Sequence, residues 1–215
     1  METQTGIPLV LELQFINTRT CRPIGDLFVE IWHANASGVY SVVANIDNRN
    51  SLSTLQGNEE GSGERTMIGR IIDESWLRGV QQTGANRVVR FKTIMPGWYL
   101  GDSGNGTLAS SFPANHSVQA SHVGQTFFDS NLLDHVAAIH PYKSNPQWRN
   151  KNDEDAVLTQ ESNTSEPMVQ YMMMGNGIEE GLLGWIVIGI GPEVNVRRAA
   201  SWYGTWGRMW RKMWY

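Results

Sequence analysis

Apolar and polar positions alternate along several short stretches of the chain. From Arg87 to Tyr99 it reads RVVRFKTIMPGWY. Val88, Arg90 and Lys92 alternate with Val89, Phe91 and Thr93, which is the period-2 pattern of a strand with two unlike faces. Pro96 and Gly97 stop it: proline has no N–H for a ladder and glycine tolerates turn angles. Residues 7–16 alternate as a first strand, 17–23 form a turn, and 27–33 make a second strand that runs on to Tyr40. Tyr40 and Tyr99 thus stand at two strand ends that can converge on one point. Residues 44–74 are polar, with little periodicity, and read as a long surface loop able to act as a lid. Strands are expected at 76–83 and 87–94, and a second loop region at 100–117. A strand at 118–128 leads to Asp129-Ser130-Asn131, a helix-start signal before 132–139. Residues 141–167 read mostly as loop, and closing strands fit 168–174 and 183–190. Many short strands and one short helix predict an all-β fold, a β-sandwich with long loops.

Composition narrows the class. The 215 residues suffice for one domain with a sizeable core. The 22 glycines and 8 prolines supply the turns that short strands need. A net charge of −4 argues against a general nucleic-acid binder. Cys21 is the only cysteine, so neither an intrachain disulfide nor a cysteine-rich metal site can form. There is no basic start followed by an apolar stretch, so no secretory signal is visible and a cytoplasmic chain is expected. Against this, Asn35, Asn105, Asn115 and Asn163 each open an N-x-Ser/Thr sequon, relevant only to secreted chains.

Several stretches carry a family resemblance. GIPLVLEL (6–13), VEIWHANASGVYS (29–41), WLRGVQQT (76–83), RFKTIMPGWY (90–99) and SHVGQTFFDSNL (121–132) resemble the intradiol ring-cleavage dioxygenases. Their fungal branch, related to the catechol and protocatechuate dioxygenases, is the nearest. NDEDAVL (152–158) and LLGWIVIGIGPE (182–193) fit the same branch, so the likeness runs from about Gly6 to about Glu193. It implies the same β-sandwich, here residues 1–196, followed by a tail of 197–215. It also implies a non-haem ferric iron and a catechol-like substrate, with a homodimer as one expected assembly. Many fungal relatives are secreted and carry a longer amino-terminal region.

In that family two tyrosinates and two histidines hold ferric iron. Phenolate oxygen is a hard anionic donor suited to the ferric state, and the metal lowers the tyrosine pKa so that the ligand ionises. By resemblance, Tyr40 in GVYS matches the first tyrosine ligand, Tyr99 in PGWY the second, and Gln125 a polar catalytic residue beside the metal; Trp98 lines the pocket. The family's histidines lie shortly after the second tyrosine in a His-x-His strand, preceded by an arginine that supports the substrate. Here Tyr99 is followed by LGDSGNGTLASSFPANHS, with neither. His116 and His122 are the nearest substitutes. On an alternating strand, however, His122 points away from the face of Gln125. His33 matches a non-ligand histidine of the family, and His135 and His140 read as surface residues. The missing segment threatens a central strand, which residues 107–118 could replace. Two functions stay open: a ring-cleaving dioxygenase impaired in this chain, or a family member serving as a binding or structural module.

The tail, RRAASWYGTWGRMWRKMWY, differs from the rest. Trp202, Trp206, Trp210 and Trp214 recur every four residues, and Arg197, Arg198, Arg208, Arg211 and Lys212 meet no acid. Without these five, 12 basic residues face 21 acidic ones. An aromatic and basic helix suits a membrane interface or an acidic partner.

Overall fold

The structure is a computed structural model that describes residues 4–41, 75–98, 107–113 and 122–191, with backbone alone for 107–113 and 123. The expected lid at 44–74, Tyr99, His116 and the tail fall outside these residues. The first strand, β1 (Pro8–Asn17), is the hub of a five-stranded sheet. It pairs antiparallel with β2 (Arg22–Pro23) and with β5 (Val88–Ile94), and parallel with β9 (Leu182–Ile190). The β1–β9 register runs from Leu9 opposite Leu182 to Asn17 opposite Ile190. An edge strand, β8 (Gln170–Met173), completes that sheet against β9. Alternation decides which side is buried: Leu9, Leu11, Leu13 and Phe15 are sealed in the core, while Glu12 ion-pairs outside with Arg90.

The second sheet has the order β4 (Arg78–Gln82), β3 (Leu27–Trp32), β6 (Thr107–Pro113), β7 (His122–Thr126), antiparallel throughout. Leu27, Val29 and Ile31 of β3 join the same core as β1, β5 and β9, as expected of a sandwich. Two α-helices lie among the described residues, α1 (Ser130–Ala137) and α2 (Ala156–Glu161). Asp129 caps α1 through Leu132 N–H, and Leu132, Leu133 and Val136 face the core.

One alternative is decided and one expectation needs correction. Residues 107–113, part of the stretch 107–118 named as a replacement strand within a region otherwise read as loop, form the strand between β3 and β7. Their sequence, TLASSFP, has weak strand character; pairing on both edges overrides it. The segment 141–167 contains α2, so there are two short helices instead of one. Helix α2 has only six residues, too few to show a period, and it starts because the buried Asp155 carboxylate accepts from Val157 and Leu158 N–H.

Tyr142 ties the segment after α1 to the sheet. Its hydroxyl donates to Met95 O at 2.7 Å and accepts from Ile7 N–H at 3.1 Å, fully buried. Burial pushes this phenol well above the usual tyrosine range, and the Ile7 bond only partly opposes it. Tyr171 is pushed up to about 12 by burial and by Asp129. Both phenols keep their protons more tightly folded than unfolded. Their contribution is therefore complete below about pH 10 and is lost as pH rises above it. Tyr142→Phe should cost about 1–3 kcal/mol in urea unfolding at pH 7. The alkaline fall in melting temperature should also be shallower than in the wild type.

Candidate functional site

The stretch after β3 turns sharply because Asn35 organises it. Its side-chain oxygen accepts from Ser37 N–H at 3.0 Å and Val39 N–H at 3.1 Å, and Asn35 N–H donates to Val39 O at 2.8 Å. Gly38 takes a φ of 77°, and a Cβ there would lie 2.0 Å from Trp98 O. Reciprocally, a Cβ on Gly97 would lie 2.4 Å from Asn35 O. Each glycine stands two residues before a candidate tyrosine. The two corners thus pack backbone against backbone, a closeness that only glycine permits. Trp98 is buried and fixed by its indole N–H to Gln147 O at 2.8 Å, while Asn145 Nδ2 donates to Trp98 O at 2.7 Å.

Tyr40 is buried with its ring edge-on to Trp32, centroids 5.0 Å apart. The Trp32 indole N–H donates to Ser41 Oγ at 3.3 Å, and that hydroxyl donates to Trp76 O at 2.7 Å. Ser41 and Trp76 bracket the segment 42–74, so both of its ends meet beside this aromatic pair. Register supplies the rest of the floor. Arg78, Trp32, Leu108 and Gln125 occupy one rung across the sheet; Glu30 stands two residues before Trp32 on the same face. Gln125 and Glu30 are each 7% exposed although they face away from the sandwich core. Arg78 Nε donates to Glu30 Oε1 at 2.6 Å, and its guanidinium lies 5.5 Å from the Trp32 ring centroid.

The structure therefore brings Tyr40 and Gln125 to one face of one sheet. His122 lies on the other. It opposes Ser111, which opposes Val29 of the core, and it leans over Gly124, two residues along the same face. Burial holds its imidazole below the usual histidine range. His33 is wholly buried and structural: Nδ1 donates to Ala34 O at 2.8 Å, so Nε2 accepts from Thr93 Oγ1 at 2.8 Å, which ties β3 to β5. Among the described residues no three His, Cys, Asp or Glu side chains gather as a metal would require.

The same fold is found among solved structures. An intradiol ring-cleavage dioxygenase from Tetranychus urticae superposes with a TM-score of 0.68 and 25% identity, over 90% of this chain and 85% of that one. A second dioxygenase gives 0.65 and 26% identity, over 90% and 84%. Strong structural neighbours of this chain are intradiol ring-cleaving dioxygenases. The dioxygenase domain of a carbohydrate-binding fusion from Streptomyces sp. SirexAA-E shares the fold at a TM-score of 0.52 and 17% identity, over 89% and 84%. No family model and no curated protein sequence matches. The turn 35–40 follows β3 and the turn 95–98 follows β5, and the two meet at one corner through Gly38 and Gly97.

Glu30 and Arg78 had no role in the sequence reading. The available signal was a carboxylate inside LFVEIW, an apolar strand where a charge needs a partner. Arg78→Met would leave Glu30 buried without its cation and should destabilise by about 3–5 kcal/mol. The double variant Glu30→Gln/Arg78→Met should recover most of that loss. Urea unfolding of the four members of this cycle checks both values.

Proposed function

We propose that this chain is an intradiol-dioxygenase homologue whose Tyr40 pocket receives a catechol-like aromatic but whose ring-cleaving power is impaired. The observation that carries the reading is the makeup of the sheet. Tyr40, Trp32 and Gln125 share one face, while the strand between β3 and β7 reads TLASSFP and has no histidine. A catechol offers a flat ring for the aromatic pair and two hydroxyls for the Gln125 amide and the Tyr40 phenol.

The donor set does not fit ferric iron held by two tyrosinates and two histidines. Of the candidate ligands, the described residues supply Tyr40 on this face and the substitute His122 on the opposite one. Tyr99, the second phenol implied by the family motif, follows Trp98 in the sequence and lies outside the described residues. A phenol pair without imidazoles is a poor match to a four-ligand site. The fungal placement rests on the sequence motifs and is part of this proposal, as are the domain of residues 1–196 and the basic, aromatic tail.

Catechol, protocatechuate and hydroxyquinol should quench tryptophan fluorescence saturably in the wild type. Tyr40→Phe should bind them several-fold more weakly, consistent with loss of one hydrogen bond. Oxygen uptake with each compound should stay at the blank rate. Turnover at about 1 s⁻¹ or faster, the lower range of ordinary enzymes, would refute impairment. Absence of any saturable quenching would favour a structural module.

A further inference from the structure

A cavity of about 250 Å³ opens between β7, β9 and the end of α2. Its wall includes Ile186 and Ile188 of β9, His122 and Gly124 of β7, and Glu161 and Glu166 from the end of α2 and the turn beyond. Gly124 creates the space. A Cβ there would lie 2.9 Å from His122 Nε2 and 3.9 Å from Glu161 Oε1, so imidazole and carboxylate converge over the bare backbone. Among the described residues two carboxylates line the cavity and no lysine or arginine does, which makes their potential there negative. The isoleucine side is apolar. The volume is below the roughly 300–1,000 Å³ of drug-sized pockets but exceeds the roughly 150 Å³ that holds a benzene.

We propose that this cavity is a second binding site, for a small primary amine carrying an apolar ring. The ring lies against Ile186 and Ile188, and the ammonium donates to the Glu161 carboxylate beside the His122 ring, with Glu166 adding negative charge to the same wall. A charge-assisted bond from an ammonium to a carboxylate is stronger than one from a neutral hydroxyl. A bare metal ion is a poorer fit, since no cluster of three ligands forms among the described residues. The site is independent of the proposed reading of the Tyr40 pocket.

Phenethylamine titrated into the full-length protein tests this, with 2-phenylethanol as its neutral counterpart and 3-phenylpropionate as its anionic one. The expected dissociation constant for the amine is about 1 mM or lower. The alcohol should bind about tenfold more weakly and the acid not measurably, because the charge-assisted bonds are lost. The His122 imidazole resonances should move with saturation, and Glu161→Gln/Glu166→Gln should weaken the amine about tenfold. The 161–165 turn is held by the Glu161 carbonyl, and those bonds do not use the carboxylate that the variant changes. Equal affinity for amine and alcohol, unchanged affinity in the double variant, or shifts at Trp32 with His122 unmoved would each overturn the proposal. So would no saturable binding up to about 10 mM.

Discussion

The second sheet depends on one requirement: β3 must have a hydrogen-bonding partner on each edge. Its residues lie buried on the core side, and at Trp32 on the other side as well, so an unpaired edge would leave buried N–H and C=O groups orphaned. β4 satisfies one edge and β6 the other. A ladder is made by the backbone and is nearly indifferent to side chains. A strand as plain as TLASSFP can therefore hold the sheet together and carry β7 on its far edge. Metal chemistry is not indifferent in this way. The strand keeps the scaffold closed yet offers no imidazole.

The corner beside Tyr40 is built by the fold itself. Gly38 and Gly97 let two corners touch, Tyr142 and Asn145 brace the second corner from behind, and His33 ties β3 to β5 across the two sheets. Each contact lies one to seven residues from a candidate tyrosine. The Arg78–Glu30 pair completes the floor and stacks beneath Trp32.

How legible this was in the sequence differs from element to element. Strands β1 and β5 were readable because one face is buried and the other solvated, so Leu9 to Phe15 and Val88 to Ile94 alternate cleanly. The opposite facing of Gln125 and His122 followed from parity on a single strand, which needs no tertiary knowledge. β6 stood between a loop reading and a replacement strand because its strand character comes from partners 76–86 residues upstream and 11–19 downstream in sequence. α2 was too short to show a period. The Glu30–Arg78 pair joins residues 48 apart. The amine cavity gathers β7, β9 and the end of α2, and composition cannot reveal such a meeting.

The most direct test of the central claim is the visible spectrum and iron content of the purified full-length protein after ferric loading and removal of loosely held metal. Tyrosinate on ferric iron absorbs broadly in the visible and colours the protein. The account predicts a folded, colourless protein with well under one iron per chain. One tightly held iron, with a colour that Tyr40→Phe removes, would contradict it and show that other side chains have completed the site.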